Sequence, residues 1–354
     1  MTKFRSVLHH PFLIRLLHWE YWSFNAINAW IMPYWGWLAL KSRSFFFFNA
    51  ANPAIENGGL LNESKKDIHR ILPPGSFPIS LHFSIPAQPV EVLLAMQQAA
   101  LQFPVMGKPD VGGRGRGVKK LENSDELRRY VEKATLDFHI QAYIPFEQEV
   151  GIFYYRLPGQ VKGQITGIVR KEFLTVKGDG IQTVRSLLQA DKRGIMYVEK
   201  LEKILGSALN EIPEAGEKRL VSPYGNHARG SMFVDDSHLA DDRLLTLMDS
   251  IAHQIPGFYF GRLDIRLRNW SDFLEGKDYS IIELNGAGAE PTHMYDPKHS
   301  LFFAWKEITR HWRIMQKISA MNHALGVRYL TWKEGREVFR KDKELSAKLD
   351  RMPE

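Results

Sequence analysis

"YFGRLDIRLRNWSDFLEGKDYSIIELNGAG", residues 259–288, reads as two strands joined by a polar loop around Gly276. In a strand, alternate side chains share a face. Arg262, Asp264 and Arg266 therefore point one way, and Leu263, Ile265 and Leu267 the other. On the second strand Glu283 and Asn285 share a face, while Ile282 and Leu284 take the opposite one. If the two apolar faces meet a core together, Arg262, Asp264, Glu283 and Asn285 converge on one polar surface. Two carboxylates and an amide oxygen on adjacent strands are hard-oxygen ligands suited to Mg²⁺, which completes its octahedron with water and phosphate oxygens. A bridging carboxylate would give a two-ion clamp. A surface hairpin with cross-strand ion pairs accounts for the same pattern.

A second stretch, "FPVMGKPDVGGRGRGVKK" at 103–120, is open to three readings: an RNA-binding run, a phosphate cradle or a flexible loop. An RNA binder of that type carries many such repeats or interleaves aromatics with its basic residues. Here the tract is short and lies between two strands, Phe103 to Gly107 and Val118 to Leu121, so nucleic acid is not the expected partner.

The 354 residues are 44% apolar and 25% charged, close to the soluble average, and suffice for two or three packed units. A net charge of +7 favours anionic partners without choosing among them. With no cysteine, disulfides, thiolate nucleophiles and Cys-based metal sites are excluded, and a reducing, cytoplasmic setting fits. Any metal must sit on oxygen or imidazole.

Residues 1–44 form an aromatic-rich unit. "FLIRLLHWEYWSFNAINAWIMPYWGWLAL", 12–40, holds five of the nine tryptophans, and Tyr21 to Leu40 carries no charge. Ser23, Asn25, Asn28, Pro33 and Gly36 make it a poor membrane span. With Lys3, Arg5, Arg15, Lys41 and Arg43 around it, the segment reads as one or two helices lying peripherally in a cytoplasmic membrane interface. The alternative is a helical pair packed on the main domain or on a second copy. Residues 45–75 then give a buried strand (Phe45 to Phe48), a polar Gly/Pro/Asn loop and a short helix before Pro73-Pro74-Gly75. Further on, Asn123 with Glu126 makes a capping box. Strands are expected at Phe138 to Ile144, Glu149 to Leu157 and Lys162 to Phe173, and helices over 241–255 and 299–325. The last thirty residues are charged and read as peripheral. The alternation implies α+β packing.

Residues from about Leu60 to Ser300 resemble an ATP-grasp enzyme of the D-alanine–D-alanine ligase kind, with further likeness to the ATP-grasp parts of cyanophycin synthetase and bifunctional glutathione synthetase. "GRLDIR" is similar to that family's Arg-x-Asp strand and "IIELNGAG" to its Glu-x-Asn strand. The resemblance implies two α/β lobes clamping ATP, an amino-terminal lobe over 76–144 and a carboxy-terminal lobe over 145–310, followed by a helix and tail over 311–354. It implies two Mg²⁺ ions, with Mn²⁺ as the other fitting cation, on Asp264, Glu283 and Asn285, and Arg262 steadying charge at the reacting centre.

By the same resemblance Lys108 meets the ATP phosphates, and the loop with Gly112, Gly113 and Gly115 covers them. "SKKDIHRILPPGSFP", 64–78, supplies an earlier lysine that falls on Lys65 by its spacing to Pro78, with Lys66 as the other choice. "HIQAYIPFEQEVGIF", 139–153, resembles the inter-lobe hinge, placing Gln141, Tyr143 and Ile144 against adenine and Glu149 on the ribose. "VRKEFLTVKGDGIQTVRSLL", 169–188, aligns Lys171 near the phosphates, and "SPYGNHARGSMF", 222–233, offers Asn226, His227 and Arg229 as acceptor-side contacts. The chemistry implied is an ATP-dependent carboxylate–amine ligase working through an acyl phosphate on small-molecule substrates. A phosphotransferase and a non-catalytic nucleotide-binding scaffold are the alternatives. One departure stands out: some sixty residues precede Lys65, thirty of them the aromatic segment, so the family's first-substrate domain is expected to be missing or heavily reduced.

Overall fold

The computed structural model describes residues 10–113 and 115–353. Lys3, Arg5 and Arg114 lie outside the described residues. The aromatic segment is helical: α1 (Pro11–Leu17), α2 (Phe24–Asn28) and α3 (Met32–Ser42). The Ser23 hydroxyl accepts from Ala26 N–H to start α2, and Arg43, at φ 53°, ends α3. Trp35, Leu38 and Ala39, one helical stripe of α3, are buried. Trp35 packs on Phe47 and edge-on to Trp312, at ring separations of 5.0 and 5.2 Å. The indoles of Trp19 and Trp305 donate to His299 O and Ile27 O, both at 2.8 Å. The inner side of the segment is therefore bound to the long helix Leu301–Ala324.

The phenylalanine run is not the expected strand. Phe47–Ala50 winds as a 3₁₀ turn, and Phe46, Phe47 and Phe48 are all buried. A strand would turn alternate rings toward water; the tighter winding sends each ring to a different neighbour, Phe46 to Trp332 and Phe339 and Phe47 to Trp35.

After α4 (Lys65–Ile71) come β1 (Ser80–Phe83), α5 (Pro89–Gln98), β2 (Val105–Pro109), β3 (Lys119–Leu121), α6 (Ser124–Glu132) and β4 (Phe138–Ala142). The four strands form an antiparallel sheet in the order β1-β4-β2-β3. Asn123 caps α6 by accepting from the Asp125 and Glu126 amides. The Glu126 carboxylate reaches the Glu122 amide and not that of the cap residue, so half of the expected capping box forms.

The second sheet is built from β5 (Gln148–Tyr155), β6 (Gln164–Glu172), β9 (Met232–Asp235), β10 (Phe260–Leu267) and β11 (Tyr279–Asn285), all antiparallel, in the order β11-β10-β5-β6-β9. Between β6 and β9, β7 (Thr175–Lys177), α7 (Val184–Ala190), α8 (Val198–Leu205) and β8 (Lys218–Leu220) enclose a small core of their own. The helices α9 (Asp242–His253) and α10 (Trp270–Leu274) cover the apolar face of the large sheet. Helix α11 (Leu301–Ala324) runs through the expected boundary at 310 without a break.

Helix α12 (Trp332–Leu349) overturns the expectation of a peripheral tail. Its end returns to the small sheet, where Leu349 and Met352 are buried among Val105, Leu121, Phe138 and Ile140. The helix is highly charged because most of its surface meets water, yet its last turn completes a core.

His311 on α11 gives a pH-dependent contribution. It is 2% exposed, its Nδ1 donates to Glu307 O at 2.7 Å, its Nε2 accepts from Thr166 Oγ1 at 2.8 Å, and it packs edge-on to Phe153. Burial pushes its pKa down from 6.5 to about 4. The unfolded chain thus takes up a proton at higher pH than the folded one, so stability is retained above 6.5 and about 3 kcal/mol is lost as pH falls through this window. Urea unfolding of wild type and His311→Gln at pH 7 and near pH 4 should show the variant losing less; equal losses would assign the acid sensitivity elsewhere.

Candidate active site

A cleft opens between the two sheets. The small sheet and its connections contribute Lys65, Met106, Lys108, Gln141, Tyr143 and Ile144, and Gly112, Gly113, Gly115 and Arg116 line the same cleft. Glu149, Lys171, Arg266, Ile282 and Glu283 come from the large sheet, and Pro223–Asn226 closes one wall. Lys65, Lys108, Gly112, Gly113, Gly115, Gln141, Tyr143, Ile144, Glu149 and Lys171, scattered over more than a hundred positions, are thus brought to one place. Of the two candidate lysines, Lys65 lines the cleft and gives its ammonium to Gly112 O at 3.1 Å; Lys66 contributes its backbone amide to Asp110 instead.

The glycine loop is shaped by its contacts. Gly112 sits at φ +116°, and a Cβ there would come within 2.5 Å of Leu349. Gly115, at φ +71°, lies against Asn226 and Arg229. A side chain at either position would be strained and would push the loop off its neighbours. The Arg116 guanidinium is held by Ser346 and Asp350 of the carboxy-terminal segment, at 2.9 and 3.0 Å.

Beneath the loop an ion chain crosses the large sheet. Arg262 grips Asp264 with two bonds of 2.7 and 3.1 Å, Lys171 lies 3.1 Å from Asp264 and 2.9 Å from Glu149, and Arg266 closes the chain on Glu149 at 3.1 Å. Sheet register explains this: Asp264 faces Gly151 across the ladder and Arg266 faces Glu149. A Cβ at Gly151 would lie 2.8 Å from the Asp264 carboxylate, so only glycine leaves room for the pair. Burial would raise the Asp264 pKa, but Arg262 and Lys171 hold it below the usual carboxylate range. Glu149, expected on the ribose, lines the cleft and joins Lys171 to Arg266, and its pKa is held down by them against burial.

The β10–β11 register corrects one sequence assignment. Asp264 pairs with Glu283, Ile265 with Ile281, and a bulge between them absorbs one residue. Ile281 therefore enters the core, while Ile282 joins Glu283 on the cleft side. A bulge leaves two successive side chains on the same side of the ladder, which alternation alone does not foresee.

Glu63 is a residue that sequence reasoning missed. The loop before it pairs with the end of β11, Ala287 and Gly288 donating to Gly58 O and Gly59 O at 2.9 and 2.7 Å. This packs Glu63 beside Gly59, and one carboxylate oxygen is buried with no hydrogen-bond partner. Burial first, and the Glu283 charge second, raise its pKa to about 8. Asn285 opposite Arg262 also has a buried, unpartnered side-chain nitrogen. The orphaned Glu63 oxygen, with Glu283 and the Asn285 amide oxygen as further oxygen donors, fits a divalent cation, whereas the unpartnered Asn285 nitrogen can only donate a hydrogen bond. Asp264 fits less simply, since a cation there competes with Lys171 for its oxygen.

Arg229 and His227 do not line the cleft. Arg229 is buried behind it, donating to Val118 O at 2.9 Å and stacking on Tyr224 at 4.2 Å. His227 bonds to Glu20 at 3.1 Å within a cluster of Tyr21, Phe233 and Tyr295. Asn226 does face the cleft. Lys120 over the Tyr143 ring at 4.6 Å, and Tyr224, are additional wall residues with no sequence signal.

Burial pushes the Lys108 ammonium down to about 8, with Glu283 offsetting part of the shift. A polyphosphate beside it would restore the charge. Lys108→Met should therefore melt no lower than wild type without nucleotide, yet lose the rise that Mg-ATP confers, which is about 2.7 kcal/mol at a hundredfold excess over Kd. Thermal melts with and without Mg-ATP check this; an unchanged ATP-induced rise would remove Lys108 from the phosphate site.

No family model matches the chain, and no curated protein matches it. Among solved structures it is similar to D-alanine–D-alanine ligase from Bacillus anthracis, at 12% identity and TM-score 0.39, over 72% of this chain and 68% of that one. The VanG D-Ala:D-Ser ligase from Enterococcus faecalis matches at 15% identity and TM-score 0.37, over 68% and 57%. A bifunctional glutathione synthetase from Pasteurella multocida matches at 15% identity and TM-score 0.36, over 68% of this chain and 34% of that one. The chain thus spans about a third of the glutathione synthetase and somewhat over half of the VanG ligase. Superposition at this level leaves function to be argued from the site's own residues.

Proposed function

We propose that the protein is an ATP-dependent carboxylate–amine ligase of the ATP-grasp kind. The observation that carries this reading is the meeting of Lys65, Lys108 and the glycine loop from one sheet with Lys171, Arg266 and Glu283 from the other, across a single cleft. In this reading adenine lies between Met106 and Ile282 along the edge of Gln141–Ile144. The phosphates run under the loop toward Lys65, Lys108 and Lys171. Glu283, Asn285 and Glu63 would hold a divalent cation, with Asp264 reached only in exchange for Lys171, and the ion would supply charge neutralisation on the phosphates.

A substrate carboxylate oxygen attacks the γ-phosphorus, the bond to the bridging oxygen breaks, and ADP leaves. The amine nitrogen then attacks the acyl carbon, phosphate departs, and the amine gives up a proton to solvent. The chain's own part is orientation and charge: in this reading Arg262, whose orientation is fixed by Asp264 and by Glu290 O at 2.9 Å, steadies the oxyanion.

Purified protein with Mg-ATP and a pool of carboxylates and amines should release equal ADP and phosphate and yield an amide by mass spectrometry. A phosphorylated hydroxyl without free phosphate would make it a phosphotransferase, and ATP binding without acceptor-dependent turnover would make it a scaffold.

A further inference from the structure

We propose that the outer face of the aromatic amino-terminal segment docks on an anionic phospholipid bilayer, lying in the headgroup layer. The segment has two sides. Ile14, Ile27, Trp35 and Leu38 are buried against the rest of the protein, while Leu16, Leu17, Trp30, Trp37 and Leu40 face outward. Trp30 and Leu40 are 76% and 78% exposed, more than isolated surface residues of these types need to be.

Charge selects the partner. From Pro11 to Asn52 the sole acidic residue is Glu20, and it is buried and held by Arg193 at 2.6 Å and His227 at 3.1 Å. Arg15, Lys41 and Arg43 are exposed. The face thus offers apolar and cationic groups and no exposed carboxylate, which complements anionic headgroups above hydrocarbon. The Lys41 ammonium lies 5.6 Å from the Trp37 ring, placing an indole and a cation at one level, as an interfacial anchor requires. A shallow hollow walled by Pro33, Trp37, Leu40 and Phe45, with Arg43 on its lining, can take an acyl chain below a phosphate.

Among the described residues no helix is long and apolar enough to cross a membrane, so the segment lies on the surface. Its inner side reaches the nucleotide cleft's wall: the Glu20–His227 bond is one residue from Asn226, which lines the cleft.

Flotation of the full chain tests this. It should rise with vesicles of phosphatidylglycerol and phosphatidylcholine, and less with phosphatidylcholine alone or in high salt. Trp30→Ser/Leu40→Ser should cut the floated fraction about tenfold without lowering the melting temperature. Lys41→Glu/Arg43→Glu should abolish the preference for the anionic vesicles. Wild type that stays with the soluble fraction on anionic vesicles overturns the proposal, as does a Trp30→Ser/Leu40→Ser protein that floats equally well. A lipid-free dimer that these two substitutions dissociate would also overturn it, because the face would then belong to a second copy.

Discussion

Asp264→Asn should lower ATP turnover by roughly 10²–10³-fold or more while keeping the shape of the site. Asp264 is 2% exposed and is the counter-charge of both Arg262 and Lys171. Asparagine fills the same volume but removes the anion between two buried cations. Losing one partner of such a network typically costs about 3–5 kcal/mol, so the variant should also melt lower. The two effects separate in the double variant Asp264→Asn/Lys171→Met, in which one cation is removed with the anion. Stability should largely return and turnover should not, because Arg262 has still lost its fixed orientation and the phosphates have lost Lys171. ADP release and thermal melts on the three proteins decide it. Turnover near wild type in Asp264→Asn would show that this strand pair is a structural ion network and that chemistry lies elsewhere.

Leu349→Ala should destabilise the protein by about 2–5 kcal/mol, the usual cost of emptying a buried leucine site. The side chain closes the small-sheet core and touches Gly112 from behind. Its loss should therefore reach the proposed nucleotide site as well: the loop loses the surface that supports Gly112 at φ +116°, and any ATP affinity should fall with stability. Leu345→Ala, partly buried one turn earlier, serves as the comparison and should have the smaller effect on both. Chemical denaturation and nucleotide titration measure the two quantities. An unchanged unfolding midpoint in Leu349→Ala would mean that the carboxy-terminal segment is peripheral, as its charge pattern suggests.

The polar face of β10 was legible because strand alternation is local: Arg262, Asp264 and Arg266 fall on one side whatever the partner, and Glu283 joins them through the β10–β11 pairing. Likewise the strand ending near Lys108 and the glycine loop after it could be placed from turn residues and apolar runs, whereas the Gln141–Glu149 stretch was singled out only by its resemblance to a family segment. Ile282 could not, since its side depends on a bulge, which is a property of two paired strands. Glu63 could not either: what aims it at Glu283 is the contact of Gly58 and Gly59 with the residues after β11, more than two hundred positions away. The pairing of Glu149 with Lys171 and Arg266 depends in the same way on the β10–β5–β6 register.

Two segments show the division most plainly. For the aromatic run at 12–40, sequence alone suggested one or two aromatic-rich helices with almost no acidic charge; packing on α11 decided which tryptophans are buried and which face outward. For the last thirty residues, sequence suggested a charged, peripheral tail, and only the tertiary fold made it a helix and placed Leu349 and Met352 in a core. Local pattern records the periodicity of a segment. Which surface meets which depends on long-range packing, where a few buried side chains outweigh many solvated charges.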